Sequence, residues 1–277
     1  MCWLKAVPIL LLAGNALAAE GWVVGVGGEA DTADGLAGTV MVDVAVAEKT
    51  WLTGSIGGST VELPRRGSID TLFGDLGVDH WFDPVGVRFG AAYWGDSDIL
   101  DSRDWRGSLY WRSKRFSLAG DYEYRDLNFV LPETNQFPGR RIEFDANGIG
   151  LTTRFELTDA ASISVTGMTY DYSVNLRLDN NSGLLDLLSF SRLSLINSLV
   201  DHRAFVVLGL EAGESSWQFE AGTWRGAVDG GTSQSATVRF LTPVGGKNDI
   251  EFGLGIDDSE LYGTVTFFSA FLYFYGD

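Results

Sequence analysis

An alternation of apolar with polar or small side chains runs through most of the chain, in segments of about ten residues. Segment 40–46 has valine at every second position, with Met41, Asp43 and Ala45 between the valines. Segment 250–256 sets large apolar residues against Glu251 and two glycines. Because successive side chains of a β-strand point to opposite faces, this period of two predicts strands with one apolar and one polar face.

Fourteen segments follow this pattern, and turn residues separate them. The predicted strands are 21–29, 36–47, 51–62, 67–82, 85–95, 102–112, 115–125, 141–157, 160–173, 201–212, 215–227, 232–242, 248–256 and 260–275. No linker or change of composition divides them, so we expect one all-β domain over residues 19–277. Twelve or 16 strands are the alternatives, depending on how segment 174–200 folds.

The first 18 residues have the three parts of a secretory signal peptide. Lys5 gives a positive start, residues 6–13 form an apolar core, and Ala16-Leu17-Ala18 is a cleavage site. The apolar run is too short to span a bilayer as a helix. We therefore expect residues 1–18 to be removed on export and residues 19–277 to form the mature protein.

Composition excludes several classes of function. The chain has 37 acidic and 20 basic residues and a net charge of −17, so nucleic acid is not an expected partner, because phosphate binding needs a basic face. Its one cysteine, Cys2, lies in the predicted leader, and only His80 and His202 could add imidazole ligands. We therefore expect no metal site, no cofactor and no thiol chemistry in the mature chain.

The alternating segments allow two arrangements, which differ in where the apolar faces point. A soluble sandwich or barrel buries these faces, whereas a membrane barrel turns them to lipid and keeps a polar lumen. Charges in the middle of predicted strands, such as Asp75, Arg88 and Asp121, favour the membrane barrel, because a dry core holds charges only at high cost. The connections also alternate between short turns and a set that includes long loops at 126–140 and 174–200.

With its leader, alternating strands, tryptophans near strand ends and a final amphipathic strand, the chain resembles the Gram-negative outer-membrane β-barrel class over residues 19–277. The final strand is expected to carry Phe267, Phe271 and Tyr273 on its apolar face, which such a barrel turns to lipid. The resemblance implies a transmembrane, antiparallel, up-and-down barrel of about 14 strands. It also implies a location in the outer membrane of a Gram-negative bacterium, with lipid as a partner.

The polar faces of the strands would then line the lumen, and they carry more acids than bases. Phe144 and Ile149 can both face outward only if a bulge lies near Asn147-Gly148. The predicted pore-lining residues are the acids Asp43, Asp75, Asp79, Asp104, Asp121, Glu123, Glu143, Asp145, Glu220 and Glu251 and the bases Arg88, Arg106, Arg112, Arg125, Arg154 and Arg239. This charge either selects solutes in a conduit or forms ion pairs that stabilise a closed barrel.

Segment 183–200 fits a helix better than a strand, because its apolar residues recur at helical spacing. Leu184, Leu188, Leu195 and Leu199 lie on the apolar side of this predicted amphipathic helix, in the long extracellular loop. The helix could be a gate over the pore or a docking surface for a partner. It could also be a simple cap on the barrel mouth, or the segment could form two further strands.

Strand number guides the functional prediction, since eight strands leave a filled interior and 16–18 enclose an open channel. We expect a narrow or gated channel for small hydrophilic solutes. The alternative is a non-conducting barrel that anchors or assembles an envelope or secretion complex through loop 126–140 or segment 174–200. A lipid-modifying enzyme that pairs His202 with a serine is a third hypothesis, but no lipase motif is present, so we expect no catalytic residues.

Overall fold

The computed structural model describes residues 21–63, 67–131, 139–176, 199–228, 230–260 and 263–276. The predicted leader lies outside these residues. The strands are β1 (Trp22–Asp31), β2 (Gly35–Ala47), β3 (Thr50–Leu63), β4 (Gly67–Trp81), β5 (Val85–Asp96), β6 (Leu100–Arg112), β7 (Phe116–Leu131), β8 (Arg140–Thr158), β9 (Ala161–Tyr172), β10 (Val200–Ala212), β11 (Ser215–Gly226), β12 (Thr232–Gly245), β13 (Asn248–Ser259) and β14 (Gly263–Gly276).

The strands form one closed antiparallel barrel in which each strand pairs with its neighbours in sequence. The barrel closes between β1 and β14, where Trp22 pairs with Gly276 and Asp31 with Phe267. Closure leaves no sheet edge unpaired, which is a requirement for strands that cross a bilayer. The predicted all-β, 14-stranded, up-and-down barrel is therefore confirmed. No helix in the described residues is long and apolar enough to span a membrane.

The outer face of the barrel is a broad belt of exposed apolar side chains. Leu76 is 71% exposed, and Phe89, Leu109 and Ile149 are each at least 60% exposed. A soluble monomer rarely exposes so large an apolar surface, because the surface would drive association in water. A surrounding lipid phase removes that cost, and the alternation along each strand places the polar side chains inside.

The two ends of the barrel differ in the length of their connections. Short turns, such as residues 48–49 and 213–214, join strands at one end, which we call the turn end. The long connections between β7 and β8 and between β9 and β10 lie at the other end, which we call the loop end. The predicted loop 126–140 is shorter than expected, because β7 continues to Leu131 and residues 126–131 pair with β8.

Strand β14 presents its aromatic residues the opposite way from the prediction. Phe267, Phe271 and Tyr273 pair with inner-face positions of β13 and point into the lumen. The outer face instead carries Phe268 and Phe274, which are at least one-third exposed. Both faces of β14 are apolar, so the period of two predicts the strand but does not determine which face meets lipid.

The predicted helix 183–200 falls almost entirely outside the described residues, including Leu184, Leu188 and Leu195. Its last residue, Val200, is the first residue of β10 and not part of a helix. Leu199 is described and is 4% exposed within an apolar cluster at the loop end.

Candidate functional site: the barrel lumen

The strand register assigns each predicted pore residue to the inner or outer face. Eight acids and all six arginines of the predicted set share the inner face. They are Asp43, Asp75, Asp79, Asp104, Asp121, Glu123, Glu220 and Glu251, with Arg88, Arg106, Arg112, Arg125, Arg154 and Arg239.

The assignment of Glu143 and Asp145 to the lumen is wrong. The pairing of β7 with β8 runs without a shift from Phe155 to Arg140, so the predicted bulge near Asn147-Gly148 is absent. Phe144 therefore points inward beside Leu127, while Glu143 and Asp145 share the outer face with Ile149. The polarity of β8 reverses at the loop end, where its inner face packs against apolar side chains.

Sequence reasoning missed Arg203, which lies on the inner face of β10 opposite Met168 and Trp224. Its inner-face neighbours on β10 are Phe205 and Val207, so this strand is largely apolar on both sides and its alternation is weak. The inner-face residue Glu29 of β1 was also missed. It lies two and four residues after Gly27 and Gly25, so it shares the inner face with them.

A buried ionic network crosses the inner wall from β5 to β9. Arg125 is 5% exposed, and its Nε donates a hydrogen bond of 2.9 Å to Glu123 Oε1. The Tyr170 hydroxyl accepts a bond of 3.0 Å from Arg125 and donates one of 2.8 Å to Glu123. Asp104, 3.9 Å from Arg125, accepts a 2.7 Å bond from the Trp94 indole. These hydrogen bonds and ion pairs offset the free-energy cost of removing the charges of Arg125, Glu123 and Asp104 from water.

More exposed ion pairs continue toward the turn end. Arg88 donates to Asp79 at 2.8 Å, and the Tyr110 hydroxyl donates to the other oxygen of Asp79 at 2.6 Å. Farther from the turn end, Arg106 of β6 pairs with Asp75 of β4 across β5. On the opposite wall Arg239 lies 3.5 Å from Glu220. Arginine charge is thus largely matched by neighbouring carboxylates.

Asp121 and Asp43 differ from the ion-paired carboxylates of the inner wall. Asp121 accepts hydrogen bonds from the Ser108 and Thr152 hydroxyls at 2.7 and 3.0 Å. Asp43 lies on β2, with four strands between it and β7 around the barrel, and lines the same cavity as Asp121. Within the described part of the chain, neither carboxylate forms an ion pair, so their negative charge acts on the lumen without a bound countercharge.

Aromatic side chains cover glycines on the wall formed by β14 and the first strands. A Cβ atom on Gly27 would lie 2.3 Å from the Phe271 ring, and one on Gly57 would lie 2.2 Å from the Phe73 ring. Each ring therefore occupies the space that a side chain on the neighbouring strand would fill. This wall is rich in aromatic rings and glycines, whereas the wall from β4 to β9 carries most of the ion pairs.

An apolar cluster fills part of the lumen at the loop end. We call it the mouth cluster, and its buried members are Leu100, Leu127, Phe144, Ala146, Leu199, Ala227 and Val228. Leu199 and Val228 belong to connections between strands, and the Ala227 amide donates to the Leu199 carbonyl at 2.8 Å. These connections pack against the inner wall and narrow the mouth.

Three adjoining cavities lie in the interior, lined by residues that the structure describes. The main cavity, of about 700 Å³, reaches from Trp51 and Asp79 to Arg203. A second, of about 510 Å³, shares Asp75, Arg106, Glu123 and Arg203 with it and extends to Trp94. A third, of about 270 Å³, shares Phe73 and Trp94 with the second and extends to Glu29. Together they follow the length of the lumen.

The two histidines lie on different strands, His202 on β10 and His80 on β4. His202 lies on the exposed outer face of β10, opposite Thr169 and Arg225. His80 accepts or donates a 2.7 Å hydrogen bond with the Thr50 hydroxyl near the turn end. No hydrogen bond joins either ring to a serine in the part of the chain that the structure describes.

A closed antiparallel barrel with an apolar belt and a charged interior is the architecture of Gram-negative outer-membrane β-barrels, and this chain has that fold. No family profile matches its sequence, and no curated protein matches it. By contrast, 266 chains of known structure match its fold.

The structural neighbours include the monoaromatic hydrocarbon channel CymD, with a TM-score of 0.58, 9% identity, and coverage of 93% of this chain and 88% of CymD. They also include a loop L8 deletion mutant of OmpT, an outer-membrane protein of Vibrio cholerae, with a TM-score of 0.52, 11% identity, and coverage of 94% and 100%. The KdgM porin matches with a TM-score of 0.48, 8% identity, and coverage of 91% and 98%. At identities this low, the structural likeness to CymD and OmpT shows the fold alone.

Proposed function

We propose that this protein is a narrow outer-membrane channel for small hydrophilic solutes. The observation that carries the proposal is the series of adjoining cavities inside the barrel, from Trp51 near the turn end to Glu29 near the loop end. Charged walls allow water and polar solutes to exchange hydrogen bonds along such a path. A barrel that served only as an anchor would need no polar space along its axis.

The main cavity further supports a preference for cations. Its lining includes five carboxylates, of Asp43, Asp75, Asp79, Asp121 and Glu123, and three guanidinium groups, of Arg88, Arg106 and Arg203. A surplus of one sign in a narrow passage with low-dielectric walls attracts counter-ions strongly and repels ions of the same sign. Asp43 and Asp121 contribute most to this preference, because no guanidinium pairs with them in the described residues.

We also propose that residues 1–18 are cleaved on export and that the loop end faces the cell exterior. If Ala19 starts in the periplasm, an even number of strands returns the chain to the periplasm and leaves the short turns there. Amino-terminal sequencing of the protein from outer-membrane fractions tests the cleavage. A first residue other than Ala19 would contradict it.

The second candidate is a non-conducting barrel that anchors an envelope or secretion complex. The mouth cluster favours it, since Leu199 and Val228 place apolar groups where solutes would enter. Under this hypothesis the charged lumen only stabilises the barrel, and the long connections 132–139 and 173–199 contact the partner.

A liposome swelling assay with sugars of increasing size separates the two candidates. The channel proposal predicts swelling that slows as the solute becomes larger. For a given sugar, liposomes with Thr166→Trp, inside the main cavity, should swell more slowly than those with the wild type. Liposomes with Val165→Trp, on the exposed outer face, should swell at the wild-type rate. Folded wild-type barrel that admits no solute would contradict the channel and support the anchor.

A further inference from the structure

The smallest of the three cavities combines aromatic rings with one acidic side chain. We call it the aromatic pocket, and its chemically distinctive lining residues are Glu29, Phe73, Trp94 and Phe271. Glycine, alanine and threonine form most of the remaining lining. The hydroxyls of Ser59 and Thr71 also face it, but they hydrogen-bond to each other. Glu29 is therefore the one ionisable side chain among the described residues that line the pocket.

Each aromatic ring is fixed by its own contacts with the barrel wall. Phe271 lies over Gly27 and stacks on Tyr273, with ring centroids 6.3 Å apart and an interplanar angle of 19°. Phe73 lies over Gly57. The Trp94 indole is oriented by its 2.7 Å hydrogen bond to Asp104. The pocket is thus held in shape before any ligand enters, which lowers the entropic cost of binding.

Aromatic rings beside a carboxylate favour a particular kind of ligand. Ring faces attract cations that are weakly hydrated, and quaternary ammonium groups are the best-known examples. A small inorganic ion loses more by giving up its water, because the apolar lining cannot replace those hydrogen bonds. Glu29 adds attraction for a positive charge and opposes anions. A neutral sugar would find few free hydrogen-bonding groups on these walls.

We infer that the aromatic pocket is a binding site for small organic cations with an alkylated ammonium group. Its volume of about 270 Å³ equals that of about nine water molecules at roughly 30 Å³ each, which suits such a group with short substituents. The pocket adjoins the second cavity at Phe73 and Trp94. A role of the pocket in solute entry rests on the proposed channel function. In such a channel, a bound cation would move from the aromatic pocket toward Asp75 and the acidic main cavity.

Isothermal titration of the refolded full-length barrel with choline tests the site directly. A polyoxyethylene detergent is suitable, because it carries neither charge nor sugar. The neutral isostere 3,3-dimethylbutan-1-ol has the shape of choline without its charge, and glucose tests sugar binding. We expect choline to bind more tightly than the isostere by about tenfold or more, as cation–π attraction in a partly desolvated site predicts. Equal binding of choline and the isostere, or preferred binding of glucose, would overturn the inference.

Two variants and a matched control locate the binding. Glu29→Gln removes the charge and Phe271→Leu removes a ring, and each should weaken choline binding by about tenfold. Phe267→Leu is the control, because Phe267 lies on the inner face of the same strand over Gly255 but does not line the pocket. Choline affinity in this control should equal that of the wild type. A loss in Phe267→Leu as large as that in Phe271→Leu would contradict the assignment.

Potassium conductance in a planar bilayer separates this inference from the proposed channel. A barrel that conducts potassium but does not bind choline would refute the pocket and leave the channel intact. A barrel that binds choline but does not conduct would refute the channel and leave the pocket intact. If both hold, choline added at the loop end should reduce the potassium current, and Phe271→Leu should relieve that block.

Discussion

Some aromatic rings of the lumen lie over glycines on the neighbouring strand, and these pairs help to keep the lumen open. The ring of Phe271 lies over Gly27, and that of Phe73 over Gly57. With a side chain at either glycine, the ring would have to project into the cavity. A composition rich in glycine and aromatics is therefore part of how this interior combines bulky side chains with open space.

Gly27→Ala should destabilise the barrel by about 1–3 kcal/mol, the usual cost of overpacking. The new Cβ would lie 2.3 Å from the Phe271 ring and 2.4 Å from the Ala270 carbonyl oxygen, and the backbone oxygen cannot move away easily. Urea unfolding in detergent micelles, followed by tryptophan fluorescence, measures the change.

Gly38→Ala is the matched control, since a Cβ there meets no atom within 4 Å. It should stabilise the barrel by about 0.5–1 kcal/mol, because alanine loses less conformational freedom than glycine in a strand. Equal destabilisation by Gly27→Ala and Gly38→Ala would show that the ring contact has no special role.

Arg125→Met should destabilise the barrel by about 3–5 kcal/mol, because Asp104 would stay buried without a countercharge and Glu123 would keep only the more exposed Arg203, at 4.0 Å. Arg88→Met removes an exposed pair, with side chains 59% and 21% exposed, and should cost about 0–1 kcal/mol. The same unfolding measurement compares them. If the two variants lose similar amounts of unfolding free energy, the network around Arg125 is as well solvated as the Arg88–Asp79 pair.

At the scale of the strand, the sequence predicts the elements better than their faces. All fourteen strands follow from the period of two, and most ends agree within about three residues. The faces of β14 and of the loop-end half of β8 could not be predicted in the same way. Strand β14 is apolar on both sides, and β8 reverses polarity where the mouth cluster covers its inner face. Such packing depends on residues distant in sequence, including Leu199 and Val228.

The register of β8 gives a direct functional test. Asp121→Asn removes an inner-face charge that has no ion-pair partner in the described residues, so it should lower the ratio of cation to anion permeability. Glu143→Gln removes an outer-face charge and should leave the ratio unchanged. Reversal potentials in a potassium chloride gradient measure both variants. A change for Glu143→Gln as large as that for Asp121→Asn would mean that Glu143 of β8 faces the lumen, against the register.

Trypsin digestion tests the orientation of the connections. Connection 173–199 contains Arg177 and Arg192, while the short turn between β6 and β7 contains Lys114 and Arg115. Trypsin added to intact cells should cleave at Arg177 or Arg192, and at Lys114 or Arg115 only after the outer membrane is permeabilised. Cleavage in that turn in intact cells would reverse the proposed orientation.

For the whole molecule, the interior has two unlike walls. The wall from β4 to β9 carries most of the ion pairs and the buried network of Arg125, whereas the wall formed by β14 and the first strands is aromatic and glycine-rich. The sequence predicts most of the charged wall, because its strands alternate clearly. It does not predict the aromatic wall or the aromatic pocket, since both depend on which residues closure of the barrel brings together.

Ion selectivity in a planar bilayer tests the central claim most directly. Purified, refolded protein is inserted into a neutral lipid bilayer, and the reversal potential is measured across a tenfold gradient of potassium chloride. The acidic surplus in the main cavity predicts small, discrete conductance steps and a reversal potential of the sign that cation preference gives. Well-folded protein that gives no conductance, or a clear preference for chloride, would contradict the account.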